Sequence, residues 1–213
     1  DSRQEYDAVR DFVQRFSPEQ TSRIHFYDKD ESLFDYLGVE QEMARALSRK
    51  VWLKSGGYLV IDHTEAMTVI DVNTGRFVGK RDQEETILRN NLEAAKEVAY
   101  QVKLRGIGGI IIVDFIDMER EKNRDKVYHA LMDAMASDKA RTRISRISDL
   151  ELIEISRERV REDLLRSLSE PCRYCEGRGY TKSPTTVAYE IFREIRKIGG
   201  GKEQQRIVVG AHP

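Results

Sequence analysis

Cysteine and proline are scarce in this chain, with two Cys and four Pro in 213 residues. Two cysteines cannot build the disulfide framework on which small secreted domains depend. Long apolar runs are missing as well. The longest, residues 107–115, is interrupted by Gly108, Gly109 and Asp114 and falls far short of the roughly 18–20 residues that a membrane-spanning helix needs. The opening residues, Asp-Ser-Arg-Gln-Glu-Tyr-Asp, carry neither a basic nor an apolar leader pattern. Nor does one sign of charge dominate: 36 Lys+Arg against 37 Asp+Glu leave a formal net charge of -1. Any nucleic-acid surface therefore has to come from local clustering rather than from bulk charge. A cytoplasmic protein without a transmembrane segment is the economical expectation.

What is present is charge itself, at 34% of residues, beside a 39% hydrophobic fraction. The length allows one substantial core plus a smaller appendage. Apolar residues recur at helical spacing in 6–16, 32–47, 82–104 and 120–137, and a last helix is expected near 186–198. A polar helix is expected over 157–169. Short β-branched or aromatic runs at 50–53, 58–62, 67–73, 110–115, 142–147 and 150–155 read as strands, with brief extended runs at 24–27 and 207–209. Helices and strands interleave, so the expected body is α/β with a mixed sheet.

Two segments concentrate chemistry: Val69-Ile70-Asp71-Val72-Asn73 and Ile112-Val113-Asp114-Phe115-Ile116-Asp117. Each sets a carboxylate at the end of a run that belongs in the middle of a sheet. A buried carboxylate must be paired, protonated or bound to metal. If the two strands are neighbours, Asp71 and Asp114 converge, and a divalent cation would relieve their repulsion. Mg²⁺ suits one or two carboxylates with water or phosphate oxygens in its other positions. Asn73 shares the face of Asp71, and Asp117 is a spare ligand beyond the strand. The competing reading of the same pattern is that these aspartates cap turns or the helix near Arg120, and pattern alone leaves both open.

Cys172-Arg173-Tyr174-Cys175-Glu176-Gly177-Arg178-Gly179 has the form of half a zinc site. Structural zinc takes four ligands. One chain supplies two thiolates, and the four histidines are scattered. A redox dithiol or a pair of inert thiols are the other readings. A second copy of the motif from another protomer is the simplest completion, which predicts a homodimer or higher homo-oligomer sharing Zn²⁺. Lys139, Arg141, Arg143 and Arg146 form one basic run, and Arg157, Arg159 and Arg161 another. Interspersed glutamates make a solvated charged face the plainer reading, with a phosphate-backbone track as the alternative.

The stretches Ile70–Gly75, Asp82–Thr86, Asn90–Ala95, Gly108–Met118 and Glu154–Arg157, with Arg141, Ile144, Ser145 and the cysteine motif, together resemble the RNase E/G family of endoribonucleases across nearly all of residues 47–182. The resemblance implies a DNase I-like catalytic domain over 47–168, preceded by the end of an RNase H-like domain over 1–46. It also implies a zinc-link over 169–182 and the start of a small dimerisation domain over 183–213. It further implies Mg²⁺-dependent hydrolysis of single-stranded RNA to 5′-phosphate and 3′-hydroxyl ends, in RNA processing and decay. Asp71 and Asp114 then hold Mg²⁺, Asn73 assists, Arg141 holds the RNA 5′-phosphate, and Cys172 and Cys175 hold Zn²⁺ between protomers. The alternative from another class is a zinc-mediated dimerisation or interaction module without catalysis. C-x-x-C-x-G-x-G also occurs, in tandem copies, in chaperone zinc domains of the DnaJ type.

Overall fold

A computed structural model describes residues 2–75, 83–148 and 150–199, together with 208 and 210. The chain divides into two compact units, Asp1–Leu168 and Ser169–Pro213. In the first unit, α1 (Arg3–Phe16) starts at Ser2, whose hydroxyl accepts from the Glu5 N–H, and a 3-10 turn (Pro18–Arg23) follows. The helix expected over 32–47 is two helices, α2 (Leu33–Tyr36) and α3 (Val39–Leu47). They break at Gly38, whose φ of 68° lies in the left-handed region that glycine adopts without penalty. The run at 24–27 is extended at Ile24 but joins no sheet.

Next come β1 (Lys50–Trp52), β2 (Tyr58–His63), β3 (Met67–Asn73), α4 (Gln83–Arg105), β4 (Gly109–Asp114), α5 (Glu121–Met135), β5 (Thr142–Ile144), β6 (Leu152–Arg157) and α6 (Leu164–Leu168). The strands form one six-stranded mixed sheet in the order β1-β2-β3-β4-β6-β5. The antiparallel β1-β2-β3 meander follows from its short turns. β3 and β4 are parallel because the long helix α4 carries the chain back between them, forming a β-α-β unit.

Alternation along the strands sets the two faces. Val51, Leu59, Ile61, Ile70, Val72, Ile111, Val113, Ile153 and Ile155 are buried in one core with Ala94, Ala95, Val98, Ala99 and Val102 of α4 and Val127, Leu131 and Met135 of α5. The intervening residues form the opposite face, where Trp52, Met67 and Ile110 are exposed to solvent. α3 is tied to α4 by Arg105, which donates to the Ser48 and Arg45 carbonyls and to Gln101. Burial lowers the Arg105 pKa to about 10.

The helix expected over 157–169 is confined to α6, and Arg157 is instead the last residue of β6. The second unit contains the cysteine motif and α7 (Pro184–Gly199), where Lys182 pairs with Glu190 at 2.8 Å. The run at 207–209 lies, apart from Val208, outside the described residues. Among the described residues no helix is long and apolar enough to cross a membrane.

Candidate active site

β3 and β4 end together. Their register places Asp71 directly beside Asp114, so two carboxylates stand on the same sheet face at neighbouring-strand spacing, about 4.8 Å between strands. This is the carboxyl end of a parallel strand pair, the edge at which open α/β sheets commonly receive ligands. Both aspartates are exposed. Partial burial, then the charges of Asp71 and Asp117, hold the Asp114 carboxyl above its ordinary value. Asn73, two residues along β3, donates from Nδ2 to Asp71 Oδ2 at 2.6 Å and fixes that carboxylate's orientation. Asp117 lies beyond the end of β4, in the loop before α5.

The capping reading does not describe Asp114. The first turn of α5 receives no side-chain bond from its cap residue, Arg120. Glu84, at the start of α4, instead holds the residues that lead into α5, accepting from the Glu119 and Arg120 N–H groups and from Asn123 Nδ2. Those bonds, led by Asn123, lower the Glu84 pKa. Asn91, fully buried, donates to the Ile116 carbonyl at 2.8 Å and accepts from the Ile116 N–H at 3.2 Å. α4 thus grips the segment just after Asp114 from two positions. Sequence reasoning assigned no role to Glu84 or Asn91. The available signal was a polar Asn91 on the apolar stripe of α4, four residues from both Ile87 and Ala95.

Among the described residues, no three His, Cys, Asp or Glu side chains gather around a common point. The pair offers two carboxylates, a number that Mg²⁺ accepts when waters and phosphate oxygens complete its shell.

Arg141 and Arg143 do not flank this pair. Arg141 lies beside Glu158, whose N–H donates to the Arg141 carbonyl, and Arg143 pairs with Ser156. Through β6, these positions align with the Gly109 end of β4, roughly 17 Å along the strand from Asp114. The run thus begins at the far end of the sheet. Arg146 is its member nearest the carboxylates, two residues before Ser148, whose N–H donates to the carbonyl of Leu152 opposite Asp114. Arg157 is no surface cation either. It is 6% exposed and forks onto Asp138 at 2.7 and 3.0 Å, with a third bond to the Ile107 carbonyl at 2.8 Å. This pairing holds the Asp138 carboxyl below its ordinary value.

In the second unit, Cys172 and Cys175 are free thiols. Hydrogen bonds from the Cys175 and Tyr174 backbone lower the Cys172 pKa, and the Gly179 N–H points at Cys175 Sγ at 3.4 Å. Gly177 and Gly179 have φ of 82° and 77°, the conformation that lets the backbone turn its N–H groups inward.

The profile of the Ribonuclease E/G family matches residues 1–160. The chain belongs to the Ribonuclease E/G family. It is 46% identical to Ribonuclease G of Escherichia coli (strain K12) over all 213 residues, which is 44% of that protein. Over 197 residues, 92% of this chain, it is 40% identical to the chloroplastic Ribonuclease E/G-like protein of Arabidopsis thaliana and 37% identical to Ribonuclease E of Haemophilus influenzae, covering 20% and 21% of them. The chain thus spans less than half the length of these relatives.

Proposed function

We propose that this chain is the catalytic portion of a magnesium-dependent endoribonuclease that cleaves single-stranded RNA to 5′-phosphate and 3′-hydroxyl ends, in RNA processing and decay in the cytoplasm. The observation that carries the reading is the in-register pair Asp71 and Asp114 at the carboxyl end of β3 and β4, in a chain of this family. On this reading the sheet is a DNase I-like domain, residues 1–46 are the end of an RNase H-like domain, and residues 183–213 begin a small dimerisation domain.

Asp71 and Asp114 would hold Mg²⁺, with Asn73 keeping the Asp71 carboxylate in place. When bound, the metal stabilises charge building on the phosphate and makes a nearby water easier to deprotonate. The water oxygen forms the new bond to phosphorus as the bond to the 3′ oxygen breaks, and a proton ends on that oxygen. Asn91 and Glu84 hold the segment after Asp114 so that the pair keeps its spacing. Arg141 is assigned to the RNA 5′-phosphate, which its fork can grip with two bonds. Its place at the far end of β4 makes that site separate from the cleavage centre.

Cys172 and Cys175 would supply two of four thiolates to a zinc shared with a second protomer. The inward N–H groups around them suit thiolate charge. Zinc analysis of the purified oligomer should give one zinc per two chains. One zinc per chain would count against sharing.

Asp71→Asn or Asp114→Asn should abolish Mg²⁺-dependent cleavage of a short single-stranded RNA while leaving the fold intact. Wild-type cleavage by either variant would sink the assignment, and the chain would then be read as a zinc-linked interaction module.

A further inference from the structure

The same face of the sheet carries a second feature two strands from the carboxylates. Trp52 of β1 pairs with Tyr58 of β2, and Tyr58 pairs with Asn73 of β3. One row along, Lys50 pairs with Val60, and Val60 with Asp71. Because partners in register share a face, Lys50, Trp52, Tyr58, Asn73, Asp71 and Asp114 all stand on the side opposite the core. Trp52 is thus about 10 Å from Asn73 across the strands, a distance that one or two nucleotides of an extended strand cover.

The geometry is that of a small aromatic shelf. The Trp52 and Tyr58 rings are 5.3 Å apart at 62°. Lys50 Nζ lies 3.4 Å from the Tyr58 ring centre and 4.1 Å from that of Trp52. A cross-strand aromatic pair can serve only to stabilise a hairpin. Here, however, Trp52 leaves 61% of its surface in solvent. The ammonium group resting on the rings forms no ion pair among the described residues, so its charge remains available to a phosphate. An exposed π-surface with a cation beside it is the combination that binds single-stranded nucleic acid without reading sequence.

We propose that Trp52, Tyr58 and Lys50 form a stacking platform for a base of single-stranded RNA flanking the cleavage position, with Lys50 meeting the adjoining phosphate. The proposal rests on reading Asp71 and Asp114 as the cleavage centre. It adds a substrate contact that composition alone did not indicate, since the chain has no basic excess.

Trp52 is the single tryptophan of the sequence, so its fluorescence reports on this platform alone. Titrating the 213-residue chain in EDTA with an eight-nucleotide oligouridylate should quench the emission saturably. Trp52→Ala should weaken binding roughly 5- to 100-fold, raising KM more than it lowers kcat once Mg²⁺ is added. Trp52→Phe should keep most of the affinity, which separates stacking from a folding defect. RNA binding that leaves the emission unchanged would overturn the platform, as would wild-type affinity in Trp52→Ala or no binding at all. Emission that instead changes with protein concentration in the absence of RNA would identify the face as a protein interface. Quenching without Mg²⁺-dependent cleavage would overturn the nuclease reading and leave the platform standing. Cleavage without quenching would do the reverse.

Discussion

At its Gly109 end, β4 lies beside a buried pair of opposite charges. At its Asp114 end, it lies beside an exposed pair of like charges. Arg157 and Asp138 each have side chains only 5% accessible, and the arginine fork satisfies both carboxylate oxygens. Asp71 and Asp114 stand in register, with Asn73 as a neutral neighbour and no ion pair to either among the described residues. One end of the strand has its charges neutralised by the fold. The other end holds a charge conflict that the fold leaves for something else to resolve. Such unrelieved sites are where function commonly resides.

The largest effect that can break this comparison comes from the buried pair. Asp138→Asn removes the counter-charge of Arg157, and stranding a buried guanidinium costs about 3–5 kcal/mol of stability, measurable as a lowered urea midpoint. Asp114→Asn should leave the midpoint unchanged or raise it, because it removes repulsion. Equal losses in the two variants would erase the distinction.

Acid sharpens the comparison through the same two residues. Asp138 has a lowered folded-state pKa, so its contribution is complete above the unfolded value near 3.9 and is lost as pH falls through the folded value. Asp114 has a raised folded-state pKa. Its cost is present above that raised value and disappears as pH falls below the unfolded one. The acid limb of the stability curve should therefore flatten in Asp138→Asn and steepen in Asp114→Asn.

The carboxylate end was readable in part, because the strands that carry its aspartates are local signals while the pairing of those strands is not. β3 was expected at Met67–Asn73 and is there. That β3 and β4 are neighbours stood only as a condition in the sequence, and the parallel register meets it. The arginine end was not readable because its cause is distant. Charged residues from Arg157 onward look helical, whereas the residue that draws Arg157 inward is Asp138, nineteen positions earlier. β6 begins and ends two residues later than expected, yet Ile153 and Ile155 lie on the core face as the alternation implies, because residues two apart on a strand share a face whatever its bounds. The closeness of Trp52 to Asn73 escaped for the related reason that it depends on register across three strands.

The smallest effect tests the central claim most directly, because it asks about the cation site without requiring RNA. If Asp71 and Asp114 form a Mg²⁺ site, MgCl₂ at ten times the dissociation constant should stabilise the chain at pH 7 by about 1.4 kcal/mol, a rise in melting temperature of about 3–5 °C. Asp114→Asn should lose that rise. An equal rise in wild type and variant, or none in either, would contradict the account.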